Sequence, residues 1–258
     1  MSSISVIGSG NMASAIGALA VEGGNAVEVL GRDTAKAAAL ASTLGNGATA
    51  GTWGAAPAGD IVILAVLFDS AVPVVRQYGD ALADKIIVDI TNPFNPSATG
   101  LAIPADTSIA QMVAEAAPAT AHVVKAFNTL FRDVLAAGGP LDVFMAGDDA
   151  QAKASMSAFI KSLGLRPRDT GDLSMAHWLE GAGLLSVGVA AMAWGTSTSP
   201  SASTSAEIAA ASGTAHRSVY ITSALSNEWS DRGKTRWQGR GDHRRDKWDG
   251  AGRCQVVR

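Results

Sequence analysis

A strand, a glycine-containing turn and a helix follow one another in the first 22 residues, and this order constrains the fold more than any other feature of the sequence. Residues 4–7 form an apolar run that predicts a β-strand, and residues 11–22 have the composition of a helix. Between them Gly8 permits a tight turn and Gly10 lets a pyrophosphate approach the backbone, while Ala13 allows the helix to pack closely on the strand. A glycine turn alone is more often an ordinary turn, but this context favours nucleotide binding, with the helix amides facing the phosphates.

Short β-branched runs alternate with alanine-rich stretches along the first 170 residues. This alternation predicts an α/β fold, a Rossmann-type doubly wound parallel sheet with helices on both faces. We expect residues 1–170 to form the nucleotide-binding domain and residues 171–191 a short C-terminal helical segment. The predicted strands are 4–7, 26–30, 61–65, 86–90, 121–127, 142–146 and 165–169, and the predicted helices are 11–22, 34–44, 70–78, 108–117, 150–163 and 172 to about 189.

The end of the second predicted strand carries cations where many dinucleotide-binding proteins place a carboxylate. Gly31 stands at that position, Arg32 follows it, and Lys36 lies one helical turn further on. A carboxylate there would hold the ribose hydroxyls of NAD, whereas two cations can bind a ribose 2′-phosphate. The pattern therefore favours NADP, although these cations could also be solvated charges, with Asp33 capping the helix and neutralising Arg32.

Three further segments end predicted strands at the edge where the ligands of such a sheet collect. They are Ala65-Val66-Leu67, Thr91-Asn92-Pro93 and Ala126-Phe127-Asn128. We expect them to line one cofactor cleft, in which the amides of Asn92 and Asn128 would bind a nicotinamide carboxamide or a polar ring. For each segment an ordinary strand-to-helix turn is an equally good interpretation. Lys125 follows an apolar run, and its side chain is expected to extend to solvent.

Residues for acid–base, nucleophilic or metal chemistry are scarce. The chain has 4 histidines and 1 cysteine, and it contains neither a Gly-x-Ser-x-Gly nucleophile turn nor a metal-ligand spacing. His122 and His177 lie in apolar stretches and are expected to be packed or at the surface, and Asp148-Asp149 are expected to cap a helix. We therefore assign no catalytic residue and no metal, because hydride transfer between two bound cofactors needs neither.

Five segments together resemble the NADPH-dependent coenzyme F420 reductases, over roughly residues 3–190. They are Gly8-Ser9-Gly10-Asn11-Met12, Gly31-Arg32-Asp33, Asp89-Ile90-Thr91-Asn92-Pro93, Val124-Lys125-Ala126-Phe127-Asn128-Thr129 and Ala146-Gly147-Asp148-Asp149. The resemblance implies that NADP lies over the glycine turn, with its 2′-phosphate at Arg32 and Lys36. It also implies that F420, a deazaflavin, stacks near the nicotinamide for direct hydride transfer, and that residues 171–191 remain from a small domain on the deazaflavin side.

Two other functions stay open. The opening Gly-x-Gly-Asn-Met-Ala is also similar to imine reductases of the pyrroline-5-carboxylate type, which the later segments do not support. A non-catalytic NADP-binding protein is the other alternative. The expected partners are small-molecule cofactors, nucleic acid and membrane are not expected, and the sequence allows a homodimer. No secretory signal precedes the first strand and a single Cys254 gives no disulfide framework, so we expect a cytoplasmic protein.

The composition changes after Ala191. Residues 1–191 hold 10 Lys+Arg and 17 Asp+Glu, whereas residues 192–258 hold 10 and 6, together with four of the 6 tryptophans. The stretch 196–205 is rich in Ser and Thr, and the segment that follows has no apolar period, so residues 192–258 are predicted to be a disordered tail. Its arginines and tryptophans alternate as in some nucleic-acid-binding tails, but aspartates dilute the charge and argue against that function.

A change of reading frame would account for this tail. With GC-rich codons, residues 192–204 read one base earlier give His-Gly-Val-Gly-His-Phe-Asp-Phe-Ala-Leu-Gly-Val-Asp. The resemblance to the F420 reductases implies an apolar, strand-like ending of this kind. The hypothesis is that one base was lost near codons 190–192 and that the last 67 residues are out-of-frame read-through.

Overall fold

One eight-stranded sheet organises residues 1–195, the part of the chain that the computed structural model describes, with side chains to residue 191. The strand order is β3-β2-β1-β4-β5-β6-β7-β8. The strands are β1 Ser3–Ile7, β2 Ala26–Leu30, β3 Thr49–Ala50, β4 Ile61–Leu64, β5 Ile86–Asp89, β6 His122–Ala126, β7 Asp142–Gly147 and β8 Arg166–Asp169. The helices are α1 Asn11–Glu22, α2 Thr34–Leu44, α3 Phe68–Tyr78, α4 Ile109–Ala116, α5 Arg132–Ala137, α6 Ala150–Ser162 and α7 Ala176–Gly195.

The central strands are largely buried because helices cover both faces of the sheet. All four residues of β4 are buried, and in β1 four of five are. β1 pairs in parallel with β2 and β4, and β4, β5 and β6 continue the parallel order. The predicted Rossmann-type α/β fold is confirmed, and α1, α2 and β2 have the predicted bounds.

The sheet reverses direction once, between β6 and β7. These strands pair antiparallel, with Val124 opposite Gly147 and Ala126 opposite Met145, so the expectation of a wholly parallel sheet is wrong at this pair. The connection between them holds only the six-residue α5, and an antiparallel neighbour needs no full crossover helix. Gly147 therefore lies beside the middle of β6, and the chain leaves β7 away from the carboxyl end of β6.

The two aspartates after β7 have different structural tasks. Asp149 caps α6, where its carboxylate accepts a hydrogen bond from the backbone N–H of Ala152 at 2.6 Å, and this confirms the predicted cap. The Asp148 carboxylate accepts a bond from the backbone N–H of Leu173 at 2.8 Å and so fixes the turn before α7.

The last described helix is longer than expected. α7 runs to Gly195, four residues beyond the predicted limit at 191, because the alanine-rich stretch before Gly195 contains no helix breaker. The predicted tail is therefore wrong for residues 192–195. Residues 196–258 lie outside the described residues, so the rest of that prediction and the reading-frame hypothesis stay predictions.

Within residues 1–195, no helix combines the length and apolar character needed to cross a bilayer. In the same described residues, His, Cys, Asp and Glu side chains do not gather in groups of three or more that could hold a metal ion.

Candidate cofactor and substrate cleft

Gly8 directly follows β1 and contacts the carboxyl ends of the neighbouring strands β2 and β4. Its backbone N–H donates to the carbonyl oxygen of Leu30 at 2.8 Å, and its φ is +131°, a conformation that side chains rarely adopt. A Cβ at this position would lie 2.1 Å from the carbonyl oxygen of Ala65. The contact between the ends of β1, β2 and β4 therefore requires glycine at position 8.

Gly10 stands in open space. No heavy atom lies within 4 Å of the position that a Cβ would occupy, and its backbone is extended at the N-terminus of α1. Asp33 and Asp149 cap α2 and α6, whereas no side chain in the described part of the chain caps α1. Free amides beside an unfilled space form the type of anion site that the Gly-x-Gly motif predicts.

The cations at the end of β2 are exposed. Asp33 caps α2 through the backbone N–H of Lys36 at 3.1 Å, and its carboxylate lies 3.6 Å from the Lys36 ammonium. This backbone hydrogen bond, with the Lys36 charge, lowers the pKa of Asp33. The predicted cap is confirmed, but Asp33 pairs with Lys36 and not with Arg32, which forms no ion pair among the described residues. Gly31 adjoins the turn, because its Cβ would lie 3.9 Å from the Ser9 hydroxyl oxygen.

A cavity of about 260 Å³ opens beside the first turn of α1. It is walled by α1, by the segments that follow β5 and β6, and by α7. The lining residues are Met12, Asn92, Phe94, Asn128, Thr129, Leu130, Phe131, Arg132, Gly183, Ser186 and Val187. Of the residues predicted from the sequence, Met12, Asn92 and Asn128 therefore lie together at one cavity.

Sequence reasoning missed the wall that α7 and the start of α5 provide. Phe94 directly follows the predicted Pro93, and Arg132 opens a helix too short to show an apolar period. Gly183 and Ser186 are spaced by one helical turn, and small residues at that spacing are a signal of close helix packing that could have indicated the contact.

The two asparagines bind each other. Asn92 Nδ2 donates to the backbone carbonyl of Asn128 at 2.7 Å, and Asn128 Nδ2 donates to Asn92 Oδ1 at 2.9 Å and to the carbonyl of Leu179 at 2.8 Å. The side-chain oxygen of Asn128 is buried and has no partner in the described residues. The amide donors of Asn92 and Asn128 thus hold the two walls of the cleft together.

Lys125 is completely buried, so the expectation that its side chain reaches solvent is wrong. Its ammonium lies 2.8 Å from a carboxylate oxygen of Asp89 and 2.8 Å from one of Glu180, and it donates to the backbone carbonyl of Thr91. Burial raises the pKa of Glu180, and the positive charge of Lys125 opposes that rise.

The remaining predicted residues form the surroundings of the cleft. Ala65 and Val66 are half-buried, and Leu67 at the start of α3 is 75% exposed. Pro93 and Ala126 are buried, and so is Phe127, whose ring packs on Phe159 at 6.4 Å between centroids. Phe127 has a φ of +61°, so the backbone is strained immediately before Asn128.

Residues 3–93 match the family model described as NADP oxidoreductase coenzyme F420-dependent. The matched residues include the glycine turn, the cations after β2 and the segment through Asn92 and Pro93, and they end before β6 and α7.

Two relatives match a longer part of the chain than the family model does. The chain is 29% identical over 180 residues to metalloreductase STEAP3 of Rattus norvegicus, which covers 69% of this chain and 35% of that protein. It is 29% identical over 143 residues to the F420-dependent NADP reductase of Methanocaldococcus jannaschii, covering 52% of this chain and 64% of that protein. The chain thus spans less than two thirds of either relative.

Solved structures share the fold of this chain. A crystal structure of a candidate F420-dependent NADP reductase from Arthrobacter sp. FB24 superposes with a TM-score of 0.62 at 29% identity, covering 75% of this chain and 93% of that one. The resemblance found in the sequence is confirmed by these matches. A pyrroline-5-carboxylate reductase from Coxiella burnetii, at 14% identity and a TM-score of 0.55 over 88% of this chain and 80% of that one, shows a common fold only.

Proposed function

We propose that this protein transfers a hydride directly between NADPH and the deazaflavin coenzyme F420. The observation that carries the proposal is the cavity of about 260 Å³ that adjoins the N-terminus of α1. Met12, two residues after the glycine turn, lines it on one helix, and α7 contributes Gly183, Ser186 and Val187. A ring bound in this cavity would lie beside a dinucleotide that follows the turn.

The residues at the glycine turn fit NADP(H), which would supply the hydride. The open space at Gly10 would admit a pyrophosphate, and the uncapped amides of α1 would donate to it. Arg32 and Lys36 would hold the 2′-phosphate, for which Gly31 leaves room because it brings no carboxylate. NADP is also the dinucleotide in the names of the matched family and of the archaeal reductase.

The lining of the cavity fits a reaction that depends on position. Most of its surface is apolar, and Arg132 is its one charged residue. Hydride transfer between two rings needs their alignment and the exclusion of water more than it needs a protein acid. F420 as the acceptor rests on the named relatives, and since one of them is a metalloreductase, the acceptor needs a direct test.

The test is whether the purified full-length protein oxidises NADPH when F420 is added. The loss of NADPH absorbance measures the reaction. We expect turnover with F420. An absorbance titration then separates the alternatives, since binding of NADPH without binding or turnover of F420 would favour a non-catalytic NADP-binding protein. Turnover of a cyclic imine in place of F420 would favour the imine reductase.

The variant Arg32→Ala tests the choice of NADPH over NADH. Loss of a charge-assisted phosphate contact is expected to raise the KM for NADPH by about tenfold or more, with little change for NADH. Arg76→Ala removes an exposed arginine from the last turn of α3 and is the matched control. Equal effects of Arg32→Ala on both cofactors would remove the phosphate role.

A further inference from the structure

Three buried charged residues form one cluster behind the cleft. We call Asp89, Lys125 and Glu180 the Lys125 cluster, and each of the three side chains is 0% exposed. They come from β5, β6 and α7, so the cluster ties the last described helix to the two strands whose ends form the cleft. The ammonium of Lys125 lies 2.8 Å from both carboxylates.

The cluster also fixes the backbone on either side of it. Lys125 donates to the carbonyl of Thr91, and Asp89 accepts from the N–H of Thr91 at 2.9 Å. Both backbone polar groups of the residue before Asn92 are therefore bound to the cluster. Glu180 accepts at 3.0 Å from the N–H of Ile109, the first residue of α4. Four elements therefore meet at these three side chains.

Residues of α7 within one helical turn of Glu180 contact the two asparagines of the cleft. Asn128 donates to the carbonyl of Leu179, the neighbour of Glu180, and a Cβ on Gly183 would lie 2.9 Å from Asn92 Oδ1. Between Lys125 and Asn128 the backbone is strained at Phe127, and such a conformation persists only where surrounding contacts impose it. The position of α7 and the position of the two asparagines are thus mechanically linked.

Such a cluster is poorly explained by stability alone. Burying an ion pair costs about as much free energy of desolvation as its attraction returns, and apolar side chains of the same volume often stabilise a protein as well. What an ion pair adds is a defined distance between the elements that carry it.

We infer that Glu180 is a positioning residue, which through Lys125 holds α7 against Asn92 and Asn128 and thereby sets the wall of the cavity that receives the hydride acceptor. The identity of that acceptor rests on the proposed function. The wall consists of Gly183, Ser186 and Val187, on the two turns of α7 that follow Glu180. Glu180 itself does not line the cavity, so it acts through these residues.

The variant Glu180→Leu removes the link and leaves Lys125 paired with Asp89, so that no uncompensated charge remains. We expect the KM for F420 to rise about tenfold or more, while the dissociation constant of NADPH changes less than about twofold. Glu180→Gln keeps the length of the side chain and an acceptor oxygen for Lys125, and it should restore a KM near that of the wild type.

Asp142→Leu is the matched control. Asp142 is also a buried carboxylate with two cationic partners, Arg166 at 2.7 Å and Arg168 at 2.9 Å, but it lies outside the cavity. Its substitution should leave the KM for F420 within about twofold of the wild type. An equal rise in both variants would mean a general loss of rigidity and would overturn the inference, as would a wild-type KM in Glu180→Leu.

Hydrogen exchange keeps this test separate from the proposed function. In Glu180→Leu, amides of α7 and of residues 128–132 should exchange faster than in the wild type and in Glu180→Gln, while α1 and α2 are unchanged. If the wild type does not turn over F420, the proposed function fails, and unchanged exchange in Glu180→Leu would separately overturn the inference.

Glu180→Asp provides a second variant should Glu180→Leu not fold. Its carboxylate keeps the charge but ends one methylene short of Lys125, so α7 must shift or the contact must break. The same rise in the KM for F420 and the same faster exchange are expected, and wild-type values in both measurements would overturn the inference.

Discussion

At the scale of single residues, two glycines two positions apart meet different physical needs. Gly8 is required by the fold, because its positive φ and the carbonyl of Ala65 leave no room for a side chain. Gly10 has an ordinary extended backbone and open space around it, so the folded chain alone does not require glycine there. The sequence motif predicts both positions but does not distinguish these reasons.

Substituting the two glycines separates folding from cofactor binding. Gly10→Ala should leave the free energy of unfolding within about 1 kcal/mol of the wild type, because the backbone accepts alanine. It should nevertheless raise the dissociation constant of NADPH about tenfold or more, since the methyl group occupies the space of the pyrophosphate. Fluorescence titration and thermal denaturation measure the two effects.

Gly8→Ala is the control for this pair. Its strained backbone and steric overlap should cost about 3 kcal/mol or more of unfolding free energy. NADPH affinity that is unchanged in Gly10→Ala would argue against a cofactor at the turn.

Lys125 marks the limit of prediction at the residue scale. Its partners Asp89 and Glu180 lie 36 and 55 residues away along the chain. A lysine after an apolar run most often extends to solvent. Only the packing of β5, β6 and α7 shows that two carboxylates lie within reach of its ammonium. Motifs with fixed local spacing could be predicted, and this cluster could not.

At the scale of elements, periodicity predicted most strands and helices but not the direction of β7. A continuous apolar strand looks the same in sequence whichever way it runs, and the six-residue α5 before it gives no periodic signal. Neither α5, which is six residues long, nor the almost uniformly apolar α7 shows a clear polar and apolar face. The sequence therefore did not indicate that these helices line the cavity. The part of the cleft that follows β5 and β6 could be predicted, because the carboxyl ends of neighbouring parallel strands collect ligands and both segments carry asparagine.

The contact between α7 and β6 should make stability depend on pH. Burial raises the pKa of Glu180, so the folded state holds its proton to higher pH than the unfolded chain does. The stability that this protonation contributes is complete below the unfolded pKa of Glu180 and is lost as pH rises through the folded one.

The comparison of wild type with Glu180→Gln measures this effect. Because glutamine does not titrate, the stability of the wild type relative to Glu180→Gln should fall with rising pH, by up to about 1.4 kcal/mol per pH unit between the two pKa values. Urea unfolding from about pH 5 to about pH 8 measures it. The titratable side chains that face Glu180 are Lys125 and Asp89, and a difference independent of pH would show that burial does not govern Glu180.

At the scale of the whole molecule, the change in composition after Ala191 does not coincide with the end of a structural element. α7 continues past Ala191 to Gly195. Helix formation depends on the local propensity of the residues, and the alanine-rich stretch here favours a helix. The match to the family model ends at residue 93, long before this point.

The reading-frame hypothesis has a direct test in the DNA. Resequencing across codons 188 to 205 should reveal one additional base near codons 190–192, after which the chain would end in the apolar alternative sequence. An intact frame, confirmed on both strands together with a well-ordered tail in solution, would refute the hypothesis.

The contact that forces glycine at position 8 has a consequence for the order of folding. It joins β1 to β4, whose paired residues, such as Ile4 and Ile61, are farther apart along the chain than those of any other strand pair described. Contacts of long sequence separation close late and slow folding. The turn at Gly8 is therefore completed only in chains that have closed this loop, and a dinucleotide bound at the turn, as proposed, would select folded molecules from the rest.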